Sequence, residues 1–173
     1  MSTDFESRRR WLQAACAVAL PPWAAQASAQ SRGSPPLGTA LDLPRLPVLS
    51  KDAWHPDQAR DQVLVLYWWA SWCPYCVKQS PRMQAFHEAQ RDAGFQVLGV
   101  STDKDRVAAQ NHWQEKAYSF PSVWAPPEAT TAMAWVPKAV PSVWVYDRAQ
   151  RLVFSDIGLM SEWSIKRLTR WRV

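Results

Sequence analysis

An uninterrupted run of large apolar and aromatic residues, Val63-Leu64-Val65-Leu66-Tyr67-Trp68-Trp69, leads within four residues into Cys73-Pro74-Tyr75-Cys76. Its length and its β-branched and aromatic content predict a strand over residues 62–69, buried on both faces and so inside a sheet. Past the cysteines, Met83 and Phe86 stand one turn apart, and Ala89 and Ala93 continue the stripe, which is helical spacing. The cysteines therefore sit where a buried strand feeds a helix N-terminus. Free backbone N–H groups and the helix dipole favour an anion there, and the Cys73 thiolate is the natural one. Two thiols so spaced either close a disulfide or hold a metal. A static staple suits the position poorly, because so short a loop constrains the unfolded chain little. A closed zinc site takes four ligands. His55, His87 and His112 lack ligand spacing with the pair and read as solvated or capping side chains. Copper(I) on two soft thiolates stays open.

The third cysteine, Cys16, falls in a leader. Residues 1–29 read as an export signal. Arg8, Arg9 and Arg10 form its charged region, residues 11–20 a short Ala-rich apolar core, and Ala27-Ser28-Ala29 an A-x-A cleavage site. The core is too short to span a bilayer, and Pro21-Pro22 interrupts it. Ser7-Arg8-Arg9-Arg10-Trp11-Leu12-Gln13 resembles the twin-arginine motif, with Trp for Phe and Gln for Lys; the general secretory route is the alternative. Gln13 does not suit a lipobox that would use Cys16. The predicted location is the periplasm. The chain has 173 residues and a formal charge of +5, but Arg45, Lys51, Lys78, Arg106, Lys138 and Arg151 are scattered. No basic run alternates with aromatics, so no nucleic-acid partner is expected. Twelve tryptophans must mostly pack in the core, with some left to line a docking surface.

After the leader, residues 30–40 read as a flexible Gly/Ser/Pro tether and residues 41–173 as one domain. Residues 41–49 alternate Leu and Pro and can be at most an edge strand or an extended cover. Pro81 predicts a kink or restart in the first helix, and Gly94 its C-terminal cap. Residues 95–101 read as a second strand, 103–117 as a helix and 120–124 as a short extended piece. Residues 128–135 read as a short helix opened by Pro126-Pro127. Residues 142–146 and 152–155 form a hairpin around Asp147-Arg148-Ala149-Gln150. Ser161 caps a last helix with Ile165, Leu168 and Trp171 on its apolar side. This order makes an α/β sandwich with a mixed sheet.

Trp69-Ala70-Ser71-Trp72-Cys73-Pro74-Tyr75-Cys76, Pro81, Gly99-Val100-Ser101-Thr102-Asp103, residues 139–147 and Gly158 together resemble the thioredoxin superfamily. Within it they resemble the TlpA/ResA-like periplasmic thiol–disulfide oxidoreductases, over roughly residues 40–173. The resemblance implies a thioredoxin-like sandwich, with a central mixed β-sheet flanked by helices and a helical insert at about residues 102–127. It implies a cis Val140–Pro141 bond facing the cysteines, beside a backbone edge that can pair with an extended substrate. Cys73 becomes the exposed nucleophile and Cys76 the resolving thiol. Trp72, Pro74, Tyr75, Val140 and Pro141 become the substrate-binding rim. The redox-active Cys73–Cys76 disulfide then works without a cofactor or metal. Protein thiols and disulfides are the substrates, a membrane carrier of the thiol–disulfide interchange type is the electron donor, and the protein is a monomer. The resemblance favours a reductant, in cytochrome c maturation or periplasmic redox homeostasis. A disulfide oxidant or isomerase, or a copper(I)-handling assembly factor, is the alternative. Peroxiredoxin-like sites resemble P-x-x-x-T-x-x-C, and no such Thr precedes Cys73.

Two positions depart from the family. Tyr67 stands where thioredoxins usually carry Asp and TlpA-like proteins often Asn, and Gln79 where Glu is frequent. A buried carboxylate would shuttle a proton for the resolving thiol and oppose charge on Cys73. Without one, and with Lys78 nearby, the dithiol is expected to be more oxidising than thioredoxin at about −270 mV.

Overall fold

The computed structural model describes residues 31–50 and 54–172. The leader, Cys16, Gln30 and Lys51 lie outside the described residues. Five strands form the main sheet: β2 (Val63–Trp69), β3 (Phe95–Ser101), β4 (Ser122–Trp124), β6 (Ser142–Tyr146) and β7 (Leu152–Ile157). They lie in the order β4-β3-β2-β6-β7, with β2, β3 and β4 parallel and β6 and β7 antiparallel. Two further short strands, β1 (Ser31–Arg32) and β5 (Trp135–Val136), pair with each other. The helices are α1 (Pro74–Gln90), α2 (Arg106–Lys116), α3 (Pro127–Ala132) and α4 (Glu162–Lys166). This is the mixed sheet flanked by helices that the sequence predicts, and β2 is buried at every residue in its centre.

Strand alternation divides the core. Val63, Val65, Tyr67 and Trp69 join Cys73, Cys76, Met83 and Phe86 of the α1 side, with Trp113 of α2 and Ile165 of α4. Leu64, Leu66 and Trp68 join a second cluster with Leu98, Val100, Trp144 and Tyr146. Among the described residues, no long helix covers that second face. Leu41, Leu43, Leu46 and Val48 pack there, with Met133, Trp135 and Val136. The segment running from residue 38 to residue 49 crosses from one sheet edge to the other. At the β7 end, Gly38 and Leu41 donate to Leu152 and Gln150. At the β4 end, Leu49 donates to Ser122 and Trp124 donates to Pro47. Residues 41–49 are thus the extended cover that their prolines dictate.

Several local expectations need correction. Residues 31–40, expected as a flexible tether, are tied down: β1 pairs with β5, Gly33 donates to Val136, and Leu152 donates to Thr39. The α1 helix does not restart at Pro81 but runs through it. A 3-10 turn (Arg91–Ala93) separates that helix from Gly94, whose positive φ of 82° closes the turn. The α2 helix starts after Asp105, whose carboxylate accepts from Val107 N–H, so Asp103 lies outside it. The stretch expected as a helical insert holds α2 and also the edge strand β4. Residues 133–135 leave the helix, and Trp135 enters β5. The hairpin forms as expected; Asp147 accepts from Arg151 N–H, and Gln150 takes the positive φ of 57°.

Candidate active site

The cysteines open α1. Cys73 is the N-cap: its backbone is extended, and its Sγ accepts the Cys76 N–H at 3.2 Å. Pro74 occupies the first helical position, where its missing N–H costs nothing. The Cys73 thiol also lies 3.5 Å from the Val140 carbonyl, to which it donates. Val140–Pro141 is cis, so the loop expected to face the cysteines does so. Both cysteines are free thiols in this structure.

The expected exposed nucleophile is a correction. Cys73 is only 3% exposed and Cys76 2%. The sulfur turns inward because it caps its own helix. What stands in solvent is the rim, with Trp72 at 68% and Tyr75 at 56%. Lys78 reaches over the Tyr75 ring, 6.0 Å from its centroid. A cleft of about 350 Å³ begins at Trp72 and Val140 and continues past Lys104, Thr130 and Lys138.

A polar frame holds the strand end and the loop before the cysteines. The buried Asp103 carboxylate accepts from Ser71 N–H at 3.1 Å, from Ser71 Oγ at 2.6 Å and from Ser101 Oγ at 2.7 Å. Its carbonyl accepts from the Trp124 indole at 2.7 Å. Below it, the Trp69 indole donates to Ser122 Oγ, and Ser122 donates to the Gly99 carbonyl. A Cβ on Gly99 would stand 2.8 Å from Ser122 Oγ, so this contact needs glycine. Asp103 and Ser122 were not singled out as site residues from sequence; the partners that tie them to the loop before the cysteines and to β2, Ser71 and Trp69, lie 32 and 53 residues away along the chain.

Tyr67 lies below Cys76. Its hydroxyl is 3.2 Å from the Cys76 carbonyl, to which it donates, and 2.9 Å from Ser80 Oγ. Cys76 and Ser80 are four residues apart and so share one face of α1. Burial pushes the Cys76 thiol well above its ordinary range, and hydrogen bonding with Cys73 adds to this. Hydrogen bonding with the Ala70 backbone and the Tyr67 hydroxyl works the other way. Burial likewise raises Tyr67. Gln79 is fully buried; its Oε1 accepts the Met160 N–H at 2.8 Å and ties α1 to the chain before α4. His112 lies against Trp69 at 5.6 Å between centroids, and His87 lies 6.0 Å from Phe120. Burial lowers both histidines. His55 accepts from Asp57 N–H and caps the 3-10 turn Pro56–Ala59. Among the described residues, no three His, Cys, Asp or Glu side chains converge as metal ligands. Nor, among them, is any helix long and apolar enough to cross a membrane.

Comparison with known proteins agrees with this geometry. The model of the AhpC/TSA family matches residues 46–155. The chain is 25% identical over 67 residues to Sporulation thiol-disulfide oxidoreductase A of Bacillus subtilis, a match covering 37% of this chain and 41% of the relative. It is 27% identical over 103 residues to a Thioredoxin-like protein of Haemophilus influenzae, covering 59% of this chain and 58% of the relative. The chain thus spans about half the length of these curated relatives. The thioredoxin domain of a thiol-disulfide oxidoreductase from Bacteroides vulgatus superposes with a TM-score of 0.67 at 15% identity, over 81% of this chain and all of that domain. That likeness shows the thioredoxin-like fold.

Proposed function

The chain belongs to the AhpC/TSA family, within the thioredoxin superfamily, and from that premise we propose that it is a thiol–disulfide oxidoreductase acting on proteins in the periplasm. The observation that carries this reading is the Cys73 sulfur at the N-cap of α1, within 3.5 Å of the Val140 carbonyl and beneath an exposed Trp72 and Tyr75. A helix start favours the thiolate. The thiolate attacks a substrate disulfide, and Cys76 then resolves the mixed disulfide. Trp72, Pro74, Tyr75, Val140 and Pro141 form the surface against which the substrate strand lies. The leader at residues 1–29 supports export, and the family resemblance supports a reductant fed by a membrane carrier, with cytochrome c maturation as one use.

A Cys76→Ser variant tests the reading directly. Expressed in the periplasm, it should accumulate mixed disulfides with other proteins through Cys73, and Cys73→Ser should trap none. Purified reduced protein should reduce insulin disulfides, and alkylation in cells should find the pair mainly as dithiols. No trapped partner and no insulin reduction would refute the activity, and a mainly oxidised pair in cells would reverse the direction. The departures at Tyr67 and Gln79 further propose a redox potential above thioredoxin's about −270 mV, which equilibration with glutathione measures.

A further inference from the structure

The cleft of about 350 Å³ that starts at Trp72 and Val140 carries charge of one sign only. Lys104, which follows β3, and Lys138, which precedes the cis bond, line it, and no carboxylate does. Among the described residues, neither lysine forms an ion pair. The acids nearby along the chain are engaged or stand outside the lining. Asp103 is buried and accepts from Ser71 and Ser101, Asp105 caps α2, and Glu128 is exposed on α3. Both lysines are exposed, whereas Ala125 and Met133, both buried, give the cleft an apolar floor. Such a site suits a side chain with a methylene stem and an anionic end. The cleft is also continuous with the place where the substrate lies, since Val140 lines it and the Val140 carbonyl stands 3.5 Å from Cys73 Sγ. The opposite flank differs. There β7 lies beyond β6 from β2, Gly158 donates to Pro141, and Asp156, Ile157 and Leu159 are exposed. A chain crossing Cys73 thus meets a cationic side and an apolar side that carries an acid.

We propose that Lys104 and Lys138 make this cleft a specificity subsite for an acidic side chain, a Glu or Asp that the substrate protein carries close to the cystine attacked by Cys73. The proposal deepens the oxidoreductase reading above and rests on it. The chemistry at sulfur is unchanged. The Cys73 thiolate forms a bond to one substrate sulfur, and the other leaves with the bonding pair and takes a proton from water. The lysines keep their protons throughout. They act on the encounter, holding one carboxylate so that the substrate strand lies along the Val140 edge with its disulfide over Cys73. Successive side chains of an extended chain point to opposite faces, so only every second position can reach the cleft. Only one flank is cationic, so those positions lie to one side of the cystine. Attraction by the net charge of +5 would instead favour an acidic residue at any position.

Rapid-quench kinetics on the reduced full-length protein with synthetic cystine peptides read the subsite as a ratio. One peptide series carries Glu, and a matched series Lys, at each of about four positions on either side of the cystine, where an extended chain advances about 3.3 Å per residue. Mixed disulfides are trapped by acid and counted by mass, at about 0.15 M ionic strength to screen distant charges. The rate with the Glu peptide should exceed that with the Lys peptide at least about five-fold at alternate positions on one side, and stay within about two-fold of it elsewhere. Lys104→Glu combined with Lys138→Glu should abolish or invert the preference. Lys116→Glu, a charge change of the same kind at the far end of α2, should leave it in place. Should the double variant fail to fold, the pattern of positions in the unmodified protein still decides. No preference, a preference uniform along the peptide, one that survives the double variant, or one that Lys116→Glu removes overturns the subsite and leaves the oxidoreductase reading standing. If the unmodified protein forms no mixed disulfide with any of the peptides, the oxidoreductase reading falls and takes the subsite with it.

Discussion

Tyr67 and Trp69 on one face of β2 and Trp68 on the other are equally buried, yet their surroundings differ. The helix face gives the Tyr67 hydroxyl Ser80 and the Cys76 carbonyl, and gives the Trp69 indole Ser122. On the opposite face Trp68 meets Trp144, with ring centroids 5.1 Å apart, in a cluster of Leu, Val and aromatic side chains. The first face is covered by helices, whose regular spacing aims Cys76 and Ser80 at one strand residue. The second is covered by an extended segment and by short elements, which supply apolar area. A helix can hold a reacting group in register with a strand. An extended strap supplies burial without that register.

This contrast can be broken or sharpened by substitution. Trp68→Ala should have the largest effect on stability, costing about 3–5 kcal/mol by urea denaturation. The rate at which Cys73 reacts with a disulfide dye should stay unchanged in the folded fraction. A changed rate would mean that the two faces are not separable. Asp103→Ala should cost about 3 kcal/mol, because it leaves the Ser71 N–H and the Ser101 hydroxyl without their acceptor. Unlike Trp68→Ala, it should also alter Cys73 reactivity, since Ser71 starts the loop before the cysteines. Gly99→Ala should cost about 1–3 kcal/mol by pushing Ser122 off the Trp69 indole. A near-neutral result would show that β4 shifts freely at the sheet edge.

The smallest effect is one of pH. Cys76 holds its proton more tightly folded than unfolded, so above about pH 9 the unfolded chain loses a proton that the folded chain keeps. Stability of the reduced protein should therefore fall as pH rises past that point, by up to about 1.4 kcal/mol per pH unit from this group. In the oxidised protein Cys76 carries no proton. Its decline should begin only near pH 10, where Tyr67 and Tyr146, both raised by burial, take over. Matched melting curves of the two redox forms read the difference, and identical curves would contradict the burial of the Cys76 thiol.

The fold was legible where periodicity and breakers agree. The β2 run, the α1 stripe and the 147–150 turn each follow from residue type and spacing. The helix start near 105 was harder, because Asp103 and Asp105 are both capping residues and only one can cap; the other was needed by Ser71. The cis bond at Val140 came through resemblance, since residue type alone favours trans. Cys73 and Cys76 were legible as a pair, but the burial of Cys73 was not, because it depends on a loop sixty-seven residues away. Tyr67 stood out as a departure from the family. Its partner did not, because Ser80 acquires meaning only when α1 is laid over β2.

The segment from residue 38 to residue 49 has a consequence for how the molecule meets its own kind. An open sheet offers unpaired N–H and C=O groups along its outermost strands, and such groups template pairing with other chains. Here one stretch of chain reaches both outermost strands, bridging Ala40 to Arg151 beside β7 and Val48 to Val123 in β4. Its prolines at 44 and 47 have no N–H to offer in return. A single irregular segment thus shields both flanks of the sheet from aggregation, and cutting the chain ahead of residue 50 would uncover the two together.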